Sequence, residues 1–201
     1  AKEILYSFFD VKGYFNKIGL YSSIVRNLPL DQNNAPIPLA TYPYLDFIIE
    51  RLTQEMTIFE YGAGNSTLFL NKKVKEIHSI EHDLGWYNLL KPQLPQNSFL
   101  YYIELKYDGD YARFPQSLNK KFDLIIVDGR DRVNCMKQGI NAISDSGVIV
   151  LDDSERERYN EGVDYMLAHG FRKIDFHGLK PTSLVQGCTT IFYRDNNILG
   201  I

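Results

Sequence analysis

From Thr57 onward the chain alternates short β-rich runs with stretches that suit helices, and this rhythm leaves few folds open. It predicts strands over residues 56–61, 76–80, 99–104, 122–127 and 148–151, separated by intervals long enough for crossover connections. The near-continuous apolar runs Leu124-Ile125-Ile126-Val127 and Val148-Ile149-Val150-Leu151 suit central parallel strands, which helices bury on both faces. Helices are expected over residues 44–52, 66–71, 86–90, 133–143 and 159–169, with Gly170 closing the last because glycine accepts the left-handed conformation of a helix end. Residues 171–176 and 189–194 are two further strands. The loop between them, with Gly178, Pro181 and Gly187, has no room for a helical crossover, so they should pair antiparallel and bring the count to seven.

At 201 residues, one sizeable core and one domain are expected. Residues 1–43 read as an N-terminal arm, either a lid or a strap over one apolar edge, and residues 44–201 as the main domain. Four prolines between Leu28 and Pro43 forbid a long helix there. Hydrophobic residues at 44% and charged residues at 23% exclude a disordered or fibrous chain. A net charge of −3 gives no broad attraction to phosphate backbones, so no nucleic acid partner is expected. Cys135 and Cys188 form no Cys-x-x-Cys pair, and two free buried thiols fit a reducing cytoplasm. No run approaches the roughly 20 apolar residues that span a bilayer, and the first residues lack the order of a signal peptide, so membrane insertion is not expected.

The first strand ends in Glu60 and runs into Gly62-Ala63-Gly64 ahead of a helix that opens with Ser66 and Thr67. Glycines at such a turn let the backbone approach a ligand with no Cβ in the way. In an open parallel sheet this loop lies where ligands dock, outside the carboxyl ends of the strands. The second strand ends in Ile80-Glu81-His82-Asp83, about twenty residues past the first glycine, where an acidic side chain can accept from a ribose diol. Glu81 is that candidate. His82 and His177 stand alone, without metal-ligand spacing.

The order Glu60-Tyr61-Gly62-Ala63-Gly64-Asn65-Ser66-Thr67, Ile80-Glu81-His82-Asp83, Val127-Asp128-Gly129-Arg130-Asp131-Arg132 and Val150-Leu151-Asp152-Asp153, closing on a hairpin, resembles the class I S-adenosylmethionine-dependent methyltransferases from about residue 41 to 194. More narrowly it is similar to small bacterial members carrying Glu-Tyr-Gly-x-Gly-Asn-Ser-Thr and Val-Asp-Gly-Arg-x-Arg. Asn65 departs from the broad class, many of whose members have a glycine-like residue there. The resemblance implies a Rossmann-like seven-stranded α/β sheet, mostly parallel with an antiparallel C-terminal hairpin. It implies S-adenosylmethionine as cosubstrate, with Glu60, Gly62, Gly64 and Ser66 at its methionine part and Glu81 at its ribose. Adenine would lie near Asp108, Gly109, Asp110 and Tyr111, residues that read equally well as a surface turn. Asp128 and Gly129 would face the reactive methyl, with Arg130 or Arg132 as partner to the aspartate.

The expected catalytic residues are Asp128 and Asp152. With Asp153 they gather at the ends of adjacent strands, where carboxylates could hold a divalent metal, act as a base or cap the following helix. The acceptor is expected to be a small-molecule or glycan hydroxyl, since the chain lacks an Asn-Pro-Pro-Tyr type of motif. Residues 154–159 read as the solvated start of a helix. Two other functions fit part of the pattern: a nicotinamide-dependent oxidoreductase, and a cofactor-binding partner protein without catalysis. Thr67 in place of a third packing glycine and the closing hairpin both count against the oxidoreductase.

Overall fold

The computed structural model describes residue 10 and residues 12–201. The part of the expected arm at residues 1–9 and 11 lies outside the described residues. Seven strands form one sheet in the order β3-β2-β1-β4-β5-β7-β6. They are β1 (Thr57–Tyr61), β2 (Glu76–Glu81), β3 (Ser98–Tyr102), β4 (Phe122–Val127), β5 (Ile143–Asp152), β6 (Arg172–Leu179) and β7 (Gln186–Tyr193). The first five pair in parallel, and β7 lies antiparallel to both β5 and β6. Strand order reverses between β1 and β4, which puts the glycine turn after β1 at the switch point where a ligand crevice opens.

Alternation along the central strands explains the two cores. Ile58, Leu124, Ile126, Val148 and Val150 face one side, where α3 (Tyr42–Ile49) and α4 (Asn65–Leu70) cover them with Leu45, Ile48 and Leu70. Phe59, Tyr61, Ile125, Val127 and Leu151 face the other. There α6 (Asp110–Ser117), α7 (Arg132–Gly139) and α8 (Asn160–Ala168) supply Tyr111, Ala112, Cys135, Met136 and Met166. The short helices α1 (Tyr14–Lys17), α2 (Leu20–Arg26) and α5 (Leu84–Leu90) complete the set among the described residues.

Four sequence expectations need correction. Residues 110–117 form a helix, not a turn: Tyr111, Ala112 and Pro115 bury one face, and that burial holds the helix although Pro115, inside it, can donate no backbone hydrogen bond. Helix α7 stops at Gly139, four residues early, because Ala142 must accept from Phe122 N–H as β5 begins at Ile143. Strand β5 is longer than residues 148–151, and its polar Ser144-Asp145-Ser146 portion carries a register shift against β4. Residues 154–159 are turns and a single 3-10 turn, and helix α8 begins only at Asn160. Gly170 does end α8, at φ +80°. No helix among the described residues is long and apolar enough to cross a membrane.

Candidate functional site

Burying a charge costs several kcal/mol unless it is paired, so buried charges mark where a fold spends stability on something else. Among the described residues the buried Asp, Glu, Lys and Arg side chains are Glu60, Glu81, Arg132, Asp152 and Lys180. All five lie at the carboxyl ends of β1, β2, β5 and β6 or at the start of α7. A cavity of about 700 Å³ opens at this end, a size typical of ligand pockets. Of the residues expected at the site, Gly62, Gly64, Ser66, Glu81, Asp128, Gly129 and Asp152 line it.

The glycine turn is a close crossing of two backbones. Gly62 has φ +86°, and a Cβ there would come within 2.9 Å of Gly129 Cα. A Cβ on Gly129 would come within 2.2 Å of the Tyr111 hydroxyl oxygen. At Gly64 a Cβ would meet nothing nearer than Trp86 at 3.9 Å, which leaves that backbone bare to the cavity. Trp86 itself donates from Nε1 to Ala63 O at 2.7 Å and so walls the turn.

Glu60 does not line the cavity. It shares the sheet face of Ile58 and points beneath α4, where Thr67 and Ser79 hydroxyls donate to its Oε2 at 2.5 and 2.8 Å. Thr67 Oγ1 in turn accepts from Gly64 N–H at 3.0 Å, so Glu60 holds the turn from below. Burial pushes its carboxyl from 4.5 up to about 7, against the hydroxyls of Ser66, Thr67 and Ser79. In the unfolded chain the group loses its proton near 4.5, so between there and about 7 the folded protein alone keeps it. Its stabilising contribution is therefore full below pH 4.5 and falls by about 3 kcal/mol as pH rises to about 7. Between pH 5 and 7.5 the melting temperature of the wild type should drop relative to that of Glu60→Gln, and parallel curves would contradict the assignment.

Glu81 is held by backbone. Its Oε1 accepts from His82 and Asp83 N–H at 2.7 and 2.8 Å, while Oε2 takes only a longer bond of 3.3 Å from Ala63 N–H. Oε2 thus keeps capacity for a ligand hydroxyl. Asp110 is exposed at the first position of α6 and does not line the cavity.

Asp128, Asp152 and Asp153 come together with carboxylate oxygens within 4.8 Å of one another. Arg132, not Arg130, pairs with Asp128: its Nη2 lies 2.9 Å from Oδ1, while Nε and Nη1 donate to Gly129 O and Asp152 O. Asp152 has both oxygens engaged, Oδ1 by the Thr189 hydroxyl at 2.8 Å and Oδ2 by Lys180 Nζ at 2.5 Å. Lys180 Nζ also lies 2.5 Å from Asp153 Oδ1, and Arg156 Nη2 reaches Asp153 Oδ2 at 2.8 Å. Three carboxylates thus meet three cations, and Lys180 bridges two of the three acids. The acids as arranged do not fit a divalent metal.

The charges respond to these neighbours. Burial and then the Asp152 carboxylate push Asp128 well above the usual carboxylate range, although a third of its side chain stays open to the cavity and solvent offsets part of this. Burial likewise raises Asp152, with Lys180 opposing it. Asp153 is lowered: burial pushes it up, but Lys180, Arg132 and Arg156 prevail. For Lys180, burial acts downward and Asp152 and Asp153 outweigh it, so the ammonium is held charged.

Sequence reading missed Lys180, Arg156 and Trp86, all on the cavity wall. It also left open what the arm does. Leu28, Pro29 and Leu39 line the cavity, and Asn65 Nδ2 donates to Pro29 O at 2.9 Å, so the arm forms one wall. A smaller cavity of about 240 Å³ adjoins the first and is lined by Arg130, Arg156 and Arg158 among others.

No protein-family model matches the sequence, and no curated protein matches it. Solved structures do resemble the fold. A precorrin-6y C5,15-methyltransferase from Geobacter metallireducens aligns with TM-score 0.58 at 14% identity, over 76% of this chain and 87% of its own. An rRNA methylase from Streptococcus thermophilus aligns with TM-score 0.54 at 13% identity, over 74% and 93%. A Streptococcus mutans protein solved in complex with S-adenosylhomocysteine aligns with TM-score 0.52 at 13% identity, over 75% and 97%. At these identities the likeness is one of fold, and the seven-stranded sheet with its antiparallel end is the Rossmann-like methyltransferase architecture.

Proposed function

We propose that the protein is an S-adenosylmethionine-dependent methyltransferase that methylates a hydroxyl of a small molecule or glycan. The observation that carries this reading is the convergence of the bare glycine turn, Glu81 and Asp128 on one cavity at the switch point of the sheet. Gly62 and Gly64 present backbone to the methionine part, Glu81 Oε2 accepts from the ribose, and Glu60 keeps the turn in place from beneath. When bound, the cosubstrate's sulfonium supplies an electrophilic methyl group. The chain's part is alignment and proton removal. Asp128 takes the proton in this reading, which the engagement of only its Oδ1 by Arg132 supports. Asp152 acts at one remove, through Lys180.

A nicotinamide-dependent oxidoreductase is less well supported, because Thr67 takes the third glycine position and uses its hydroxyl to tie Gly64 to Glu60. Incubation with methyl-labelled S-adenosylmethionine and a panel of phenols, sugars, hydroxylated metabolites and RNA tests the reading. Label in a base-stable ether is expected, and label confined to RNA would overturn the acceptor class.

At the ribose, Glu81→Gln should weaken S-adenosylhomocysteine binding by about 1–2 kcal/mol, or roughly 5- to 30-fold, as a charged acceptor gives way to an amide. Titration calorimetry checks this, and unchanged affinity would make Glu81 a bystander.

A further inference from the structure

We propose that the Lys180 ammonium takes the place of a divalent cation in the acid cluster and that its third N–H binds the acceptor oxygen. The second half of this rests on the methyltransferase reading above. Hard carboxylate oxygens as close as those of Asp128, Asp152 and Asp153 are what magnesium or manganese prefers. Here Lys180 Nζ lies 2.5 Å from both Asp152 Oδ2 and Asp153 Oδ1, between the oxygens that an ion would bridge. Arg132 and Arg156 neutralise the remaining charge on Asp128 and Asp153. An incoming dication would have to expel the ammonium while facing two guanidinium groups, and nothing in the charge balance favours it.

The lysine is built into this position. It follows β6, and its stem runs over Gly187 of β7, where a Cβ would come within 2.9 Å of Lys180 Cε. The Thr189 hydroxyl fixes Asp152 from its other side, and Thr41 N–H donates to that same hydroxyl oxygen at 3.1 Å. An ammonium has three donors. Two go to Asp152 and Asp153, and the described residues offer no third partner, although the side chain is only 10% exposed and lines the cavity. The third donor is thus left for a group bound in the cavity, whose wall Asp128 shares. In the transfer step the acceptor's hydroxyl oxygen, held by Lys180, forms the new bond to the methyl carbon. The carbon–sulfur bond breaks with its electron pair going to sulfur, and the hydroxyl proton passes to Asp128 Oδ2. A cation on the acceptor oxygen favours loss of that proton, as a metal ion would.

Manganese alone, followed by electron paramagnetic resonance, tests the first half without any acceptor. Wild type should leave manganese free, whereas Lys180→Ala, with three carboxylates and one cation fewer, should bind it at least about tenfold more tightly. Equal binding by the two proteins, or tight binding by wild type, would overturn the counter-ion role. For the second half, wild-type methyl transfer should be indifferent to chelator, and Lys180→Met should lose about 100-fold or more in rate with S-adenosylhomocysteine affinity retained. Chelator-sensitive wild-type turnover, or full turnover by Lys180→Met, would overturn it. The wild-type measurements decide the matter even if a variant fails to fold. If wild type does not bind S-adenosylhomocysteine, the methyltransferase reading falls with the acceptor role, while the manganese comparison still judges the counter-ion.

Discussion

Gly62→Val is expected to abolish binding of S-adenosylhomocysteine and to lower the melting temperature. A branched residue at φ +86° is strained by about 1–3 kcal/mol, and its Cβ would overlap Gly129 Cα, 2.9 Å away. The crossing cannot open without cost, because Gly62 N–H donates to Ile80 O at 3.0 Å and Asp128 N–H to Tyr61 O at 3.2 Å. Relief of the overlap would push apart the two backbones that form the cavity floor. A displacement of about 1 Å at a positioned group is enough to cost about 100-fold. Circular dichroism identifies a temperature at which the variant is folded, and calorimetry there measures binding. A folded variant with wild-type affinity would remove the turn from the site.

If Asp128 is the base, Asp128→Asn should suppress methyl transfer by about 10²- to 10⁴-fold and leave cosubstrate affinity nearly intact. Asparagine keeps an oxygen for Arg132 Nη2, so the wall of the cavity survives while its proton acceptor does not. Asp152→Asn behaves differently. Its two oxygens hold Thr189 and Lys180, and loss of the charge leaves a buried ammonium half-paired, at a cost of about 3 kcal/mol in stability. Rate assays with the acceptor found by screening, set beside melting curves, separate the two. Full turnover by Asp128→Asn would place the proton transfer elsewhere.

Much of this architecture is legible in the sequence because central parallel strands must be apolar on both faces. Residues 122–127 form β4 as read for that reason, and Gly62, Glu81 and Asp128, which line the cavity, stand where such strands end. Helix α6 was hidden, since Asp108-Gly109-Asp110 reads as a turn and Pro115 argues against a helix, while the burial of Tyr111 that decides the matter is tertiary. Glu60 has the same glycine-turn signature as a ligand contact, yet side-chain alternation along β1 sends it under α4. Lys180 was illegible for a different reason. A lysine beside Pro181 in a hairpin loop looks solvated, and only the long-range pairing of β7 with β5 carries it over Asp152 and Asp153.

In the proposed function S-adenosylmethionine occupies the cavity at the ends of β1, β2 and β4. Parallel calorimetric titration of the wild-type protein with S-adenosylhomocysteine, S-adenosylmethionine and NADH tests it most directly. Saturable binding of both sulfur nucleosides is expected, with dissociation constants on the order of micromolar, about −8 kcal/mol, and none of NADH. Saturable NADH binding with no response to either sulfur nucleoside would contradict it.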